Sequence, residues 1–335
     1  MNFNDDTVRD WWLVTRRRCS RVGFALTAML LVWVGLQLAV AGVLRFQGID
    51  SNGLPTWLQL AMGNGPLYVL AMPLAVLMMH SVPVVPTRRF NLGFGRFVAI
   101  LLICLPIMYT GSIVGSLLSG VLSQNSAQNP IAELASSSDP WSAAVLMVLV
   151  APVFEEWIFR KQLIDRLRRY GEVPAALISA LAFGLFHLNL FQFFYAFGLG
   201  LVFAYVYLRT SRLRYSIIMH MIINLNGGVI APHVLSLVDT KTLEQLQSGS
   251  LQGNEQLIEQ SGAGIITLGV YGMAMIALII AGIVLLITNR RRVEWYQAPE
   301  ELPRGTRLRT TMANPGMITY VVVCLVVMGI TLFVA

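Results

Sequence analysis

Residues 141–160 read Trp141-Ser-Ala-Ala-Val-Leu-Met-Val-Leu-Val-Ala-Pro-Val-Phe-Glu155-Glu156-Trp-Ile-Phe-Arg160, a long apolar run followed by two adjacent carboxylates. An apolar stretch of this length is typical of a helix that crosses a membrane. Ionisable groups at membrane depth are costly, so they commonly mark a functional site. The segment therefore predicts both a membrane fold and the place of the protein's chemistry.

The composition of the whole chain favours the same class of protein. Of its 335 residues 56% are hydrophobic and only 12% are charged, about half the charged share of an ordinary soluble domain. The net charge of +7 comes from arginines at the ends of apolar runs, which is the pattern of membrane topology and not of nucleic-acid binding. The three cysteines lie far apart, without the spacing of a metal site. We predict an all-α, polytopic transmembrane bundle embedded in a lipid bilayer.

Nine apolar windows are long enough to span a bilayer. They lie near residues 22–44, 60–80, 97–122, 141–160, 173–189, 191–208, 215–232, 263–288 and 316–335. With the N-terminus in the cytoplasm, 22 of the 24 basic residues fall in cytoplasmic segments, and only Arg45 and Lys241 fall outside. Because basic residues concentrate on the cytoplasmic side, this split predicts a cytoplasmic N-terminus and an extracytoplasmic C-terminus. The outer loops contain no Asn-x-Ser/Thr acceptor, which favours a bacterial plasma membrane.

These spans divide the chain into consecutive parts. We expect a basic N-terminal segment (1–21), N-terminal spans (22–122), a central core (141–232), an extracytoplasmic loop (233–262) and C-terminal spans (263–335) with a loose, basic cytoplasmic linker (289–314). The last two spans carry no specific signal, and a membrane-protein partner is one possible use for them.

The two adjacent glutamates are expected to play different roles. Glu156 and Arg160 are four residues apart and share a helix face, so they can form a structural ion pair. Glu155 lies about 100° round the helix and lacks that partner, which leaves it free to act as a general base. The alternative is a helix end at the headgroups, with both glutamates reaching out among arginines.

Two histidines stand in later apolar stretches. His187 follows Phe183 by four residues, and both share a helix face. His220 and Asn224 are also four apart, and both can donate hydrogen bonds, so together they could form an oxyanion hole. The alternatives are a packed histidine bonded to a carbonyl and, for the second pair, polar contacts between helices.

The combined set supplies the groups that amide hydrolysis needs: a carboxylate base, an imidazole that holds water, and paired donors for an oxyanion. Glu155, His187 and His220 could instead bind Zn²⁺ and leave a position for water. Other intramembrane proteases are disfavoured, because the chain has no His-Glu-x-x-His, no Gly-x-Ser-Gly and no Asp within a predicted span.

The motifs Glu155-Glu156-x-x-x-Arg160, Phe183-x-x-x-His187 and His220-x-x-x-Asn224 resemble, in order and spacing, those of the CAAX protease and bacteriocin-processing (CPBP, formerly Abi) family. The resemblance covers residues 141–232 and departs at Lys161, where relatives often have Gly. It implies a membrane-embedded endopeptidase in which Glu155 and His187 activate water while His220 and Asn224 stabilise the oxyanion. It also implies a membrane-associated protein or peptide as substrate.

Two other functions stay open at this point. A scaffold or bacteriocin-immunity factor would keep the fold and bind a partner without catalysis, and a transporter would use the same groups as a proton relay. The lack of an internal repeat disfavours the transporter. Straight spans would place His187 and His220 at opposite depths, so catalysis requires tilted, broken or shortened helices. We predict a conical cavity that opens to the cytoplasm.

Overall fold

The computed structural model describes residues 6–127, 129, 140–239, 242 and 255–334, and this part of the chain is helical without any strand. We number its helices α1 (Asp6–Phe46), α2 (Thr56–Met79), α3 (Phe94–Ser123), α4 (140–167), α5 (Glu172–Phe186), α6 (Leu190–Thr210), α7 (Leu213–Ser236), α8 (Glu255–Asn289), α9 (Arg307–Met312) and α10 (Pro315–Val334). The predicted all-α polytopic bundle is confirmed. Residues 240–241 and 243–254 of the predicted outer loop lie outside the described residues.

Seven helices in the described part are long and apolar enough to cross a membrane: α1, α2, α3, α6, α7, α8 and α10. The predicted count of nine spans is therefore too high. The predicted spans 141–160 and 173–189 correspond to α4 and α5, which are not among these seven helices. With 15 residues, α5 is only about 22 Å long, shorter than the ~30 Å hydrocarbon core of a bilayer, and α4 carries the buried charges Glu156 and Arg160.

Prolines make several of these helices irregular. A proline has no N–H and its ring clashes with the carbonyl four residues earlier, so the preceding turn has to widen. Wide, π-helical turns occur at Leu67–Ala71 before Pro73, at Ala144–Val150 before Pro152 and at Asn226–Ile230 before Pro232. Two of the three interrupt α4 and α7, the helices that carry Glu155 and His220.

Small residues allow two pairs of helices to approach closely. A Cβ on Gly115 of α3 would lie 2.7 Å from the Leu190 carbonyl oxygen of α6, and one on Gly316 of α10 would lie 1.8 Å from the Ser20 carbonyl oxygen of α1. Close backbone approach through glycine is a common way to pack membrane helices, because lipid offers no hydrophobic driving force between them. The largest buried core is shared by α1, α2, α4, α5 and α10.

The linker between α8 and α10 is not loose, contrary to the prediction from its composition. The Glu300 N–H donates to the Arg169 carbonyl at 3.0 Å, and the Tyr296 N–H donates to the Glu172 carboxylate at 2.7 Å. Arg169 lies in the turn between α4 and α5, and Glu172 is the first residue of α5, where its carboxylate also pairs with Arg168 and Arg209. The linker therefore holds the turn that joins the two helices of the central core.

Candidate active site

Helix α4 places Glu156 and Arg160 in a fully buried ion pair. Arg160 Nε donates to Glu156 Oε2 at 3.0 Å, and both side chains are 0% exposed. Arg160 also donates from Nη1 to Ser179 Oγ at 3.0 Å, and its guanidinium lies 4.6 Å from the centre of the Phe183 ring. The structure thus contains the four-residue pair that the spacing predicts, and it fixes α4 against α5.

Glu155 occupies a different environment from its neighbour. Its side chain is 12% exposed, whereas Glu156 is inaccessible. Its Oε2 lies 3.7 Å from His220 Nε2, and two phenols, Tyr68 and Tyr195, interact with it electrostatically. Of the two carboxylates, Glu155 is the one that a small molecule such as water can reach.

His220 of α7 lies between the two glutamates. Its Nδ1 is 3.2 Å from Glu156 Oε1, while its Nε2 faces Glu155. A carboxylate bonded to one ring nitrogen fixes the orientation of the imidazole and the position of the other nitrogen. The sequence pattern predicts separate tasks for the two glutamates, and the structure connects them through this histidine.

Asn224 makes a contact that the sequence analysis did not foresee. Its Nδ2 donates to the Met147 carbonyl of α4 at 2.9 Å. Met147 lies in a π turn, and the residue five positions on is Pro152, which has no N–H to donate to it. The amide of Asn224 therefore satisfies a backbone carbonyl and ties α7 to α4, and one amide hydrogen is left for another acceptor.

His187 lies where α5 ends, and its ring is held by its own helix. Nδ1 is 2.8 Å from the Phe183 carbonyl oxygen, so Nδ1–H donates and Nε2 is left as an acceptor. The next residue, Leu188, has a φ of 55°, a left-handed conformation that non-glycine residues adopt infrequently. Asn189 then donates to the His187 carbonyl at 2.8 Å and caps α6 by accepting from the Gln192 N–H.

Phe183 brings the two histidines together. Its ring packs edge to face with His187 at 4.9 Å and with His220 at 5.6 Å between ring centres. The two imidazoles can therefore be no farther apart than these two distances combined. Glu155 lies beside His220, and Phe183 packs between His220 and His187. Straight spans would place the two histidines at opposite depths, whereas α5 is short and α4 is irregular. Asn224 lies one helical turn beyond His220.

A polar chain on α6 was missed by the sequence analysis. Asn189 Nδ2 donates to Gln192 Oε1 at 2.5 Å, and Gln192 Nε2 donates to the Tyr195 hydroxyl at 2.8 Å. Tyr195 in turn lies within electrostatic range of Glu155. The signal was present as polar residues three apart in the apolar run after His187, but spacing alone did not relate them to α4.

The donor set does not fit the predicted zinc site. Within the described ranges, no three His, Cys, Asp or Glu side chains form a group that could hold a metal ion. Glu155 Oε2 and His220 Nε2 approach each other at 3.7 Å, but among the described residues no third side chain of these types joins them. We therefore derive no chemical step through Zn²⁺.

Comparisons with known proteins agree with the motif pattern. Residues 137–226 match the family described as "Type II CAAX prenyl endopeptidase Rce1-like". The chain is 34% identical over 91 residues to the "Putative membrane peptidase YdiL" of Bacillus subtilis, covering 26% of this chain and 37% of that protein. It is 36% identical over 96 residues to the "Membrane-embedded CAAX protease MroQ" of Staphylococcus aureus, covering 26% of this chain and 38% of that protein. No solved structure matches the chain.

The matched segment includes the residues whose geometry is described above. Glu155, His187, His220 and Asn224 all lie within residues 137–226. The matches span a little over a third of the length of the two curated relatives. Seven membrane-spanning helices and these relatives together identify an integral membrane protein. Through this segment, the chain is similar to a CAAX prenyl endopeptidase family and to membrane peptidases of two bacteria.

Proposed function

We propose that the protein is a membrane-embedded endopeptidase that hydrolyses a peptide bond in a membrane-associated protein or peptide. The observation that carries the proposal is the accessible carboxylate of Glu155 beside the His220 imidazole, which is itself bonded to a buried ion pair. The names of the relatives support the same class of reaction. Because the matched family description and the name of one relative refer to CAAX proteases, we place the substrate at the membrane surface.

Glu155 is the proposed general base. It takes a proton from water while the water oxygen attacks the carbonyl carbon of the scissile bond. His187, with its Nδ1–H bonded to the Phe183 carbonyl, accepts the second water hydrogen at Nε2 and so orients the nucleophile. When the C–N bond breaks, the leaving amine takes the proton from Glu155.

His220 and Asn224 are the proposed oxyanion donors. His220 Nδ1 lies 3.2 Å from Glu156, and its Nε2 lies on the side of Glu155, where it is placed to donate to the oxyanion. Asn224 supplies its remaining amide hydrogen, since the other is bonded to Met147. Donors held in place before the reaction stabilise the developing charge without reorganisation.

Glu156 and Arg160 are proposed to support the site from behind. They are inaccessible to substrate, but Glu156 holds the His220 ring and Arg160 packs against Phe183. The type of chemistry proposed is thus a glutamate peptidase. The arginine distribution supports an N-terminus in the cytoplasm of a bacterial plasma membrane and an extracytoplasmic C-terminus.

The test compares the peptide termini found in membranes of four strains, all of which lack the endogenous protein. The strains express the wild type, Glu155→Ala, Glu155→Gln or His187→Ala at matched levels. Mass spectrometry should detect new termini with the wild type that all three variants lack. His80→Ala, at an exposed histidine outside the cluster, is the matched control and should keep them. Equal termini in every strain would exclude hydrolysis and favour a partner-binding scaffold.

A further inference from the structure

A cavity unrelated to the candidate active site lies between α1, α2 and α10. Its volume is about 630 Å³. The residues that line it are Leu13, Arg16, Arg17, Ser20, Arg21, Phe24, Met78 and Pro315. Three arginines and no carboxylate of the described residues line the wall, so this part of the chain gives the cavity a strongly positive surface.

The three arginines keep most of their hydrogen-bond donors available. Arg21 donates to Ser81 Oγ, and Arg16 donates to the Ala313 carbonyl at 3.4 Å. Arg17 has no hydrogen bond or ion pair to any residue that the structure describes. A guanidinium carries five N–H donors in a planar fork that matches the oxygens of a phosphate. The site can therefore bind an anion without first breaking an ion pair.

The other side of the cavity is apolar and accessible. Phe24 is 44% exposed and Met78 is 37% exposed. Phe24 lies inside the first membrane span, one turn deeper than Arg21. A ligand with a phosphate at the level of the arginines and a hydrocarbon chain below it would satisfy both surfaces, because the positive groups stand at the edge of the apolar run.

We propose that this cavity binds the phosphate of an anionic phospholipid, with Arg16, Arg17 and Arg21 around the headgroup and an acyl chain over Phe24 and Met78. A free phosphate ion would use the guanidinium groups but leave the exposed apolar side chains unused. The lipid would contact α1, α2 and α10 at once, at the place where α10 packs against Ser20. Its headgroup would thus hold the C-terminal helix against the bundle.

The test compares lipid binding by the purified full-length protein in neutral detergent. Native mass spectrometry should show more bound phosphatidylglycerol than phosphatidylcholine. Arg17→Gln should raise the Kd for phosphatidylglycerol about fivefold, at about 1 kcal/mol per basic group, and Arg16→Gln/Arg17→Gln/Arg21→Gln should remove the preference. Arg17→Gln is informative even if the triple variant does not fold, because Arg17 is exposed and makes no hydrogen bond or ion pair with the described residues.

The matched control removes the same charge elsewhere. Arg88→Gln/Arg89→Gln/Arg96→Gln changes three exposed arginines that do not line the cavity, and it should bind phosphatidylglycerol as the wild type does. Equal loss in both triple variants, or unchanged binding by Arg17→Gln, would overturn the proposal. Displacement of the lipid by millimolar inorganic phosphate or glycerol 3-phosphate would show a site for free phosphate and would also overturn it.

Discussion

The segment 137–226 and the helix α10 that follows it use polar side chains in different ways. In the segment, buried ionic groups on α4 and α7 contact one another, as Glu156 does with Arg160 and His220. In α10, single hydroxyls donate to the backbone of α5 and of the turn after it: Tyr320 to the Ala182 carbonyl at 2.8 Å and Thr331 to the Leu188 carbonyl at 2.9 Å. The chemistry is thus concentrated in one segment, but part of its geometry is held from outside.

The two long C-terminal helices also differ from each other. In an apolar 18-residue stretch of α10, 33% is buried inside the protein, whereas only 11% of the corresponding stretch of α8 is buried. One stripe of α10 faces the core through Met317, Tyr320, Cys324 and Met328. Helix α8 approaches α3, where a Cβ on Gly282 would lie 2.2 Å from the Leu102 carbonyl oxygen. Of the last two spans, α10 therefore has the contacts of a supporting element for the site.

The largest expected effect comes from breaking the ion pair in the segment. Arg160→Met leaves Glu156 as a buried charge without its cation, and removing one partner of such a pair costs about 3–5 kcal/mol. Reversible unfolding in detergent should show a loss of this size. Lys161→Met is the neighbouring control: its ion pair with Asp165 is partly exposed, so its loss should be about 1 kcal/mol or less.

A double variant separates ion pairing from packing. In Glu156→Leu/Arg160→Met both charges are absent, and apolar replacement of a buried pair is often neutral. The double variant should therefore be more stable than Arg160→Met alone. If it is less stable than the single variant, the pair is not the main electrostatic constraint on α4, and the assignment of Glu156 to structural support loses its basis.

The sequence predicted those features that depend on neighbours along one helix. The apolar runs gave the fold class, and the four-residue spacings placed Glu156 beside Arg160 and Phe183 beside His187. Contacts between helices were not predictable in this way. The bridge from His220 to both glutamates depends on how α7 crosses α4, and the bond from Asn224 to Met147 depends on a π turn before Pro152. The count of nine spans was too high by two, because α5 is apolar but too short and α4 carries buried charges.

A smaller effect is expected from Thr331 of α10. Thr331→Val removes the hydroxyl that donates to the Leu188 carbonyl, next to His187, at a cost of about 0.5–1.5 kcal/mol. Because this bond holds a left-handed residue beside the histidine, we expect kcat to fall by about two- to tenfold with little change in KM. Thr331→Ser keeps the hydroxyl and should restore the rate.

The control for this position is on the same helix. The Thr319 hydroxyl donates to the Pro315 carbonyl of α10 itself at 2.8 Å, so Thr319→Val should leave kcat unchanged. Equal rates for Thr331→Val and wild type would show that α10 supports the fold without positioning His187.

The smallest effect is expected on α8. Ile287 is 55% exposed, and substitution of such a surface residue usually changes stability by less than about 0.5 kcal/mol. Ile287→Ala should therefore leave both the unfolding free energy and the cleavage rate at wild-type values. A marked loss of activity in reconstituted membranes would show instead that α8 takes part in the site or in a necessary assembly.

The central claim is that Glu155 activates water for peptide hydrolysis. Its most direct test compares the cleavage rates of the purified, reconstituted wild type and the Glu155→Gln variant. The substrate is a peptide identified from the wild-type-specific termini. The amide has the same shape but cannot take a proton, so the rate should fall at least about 100-fold while the unfolding temperature stays unchanged. A rate within twofold of wild type would contradict the claim.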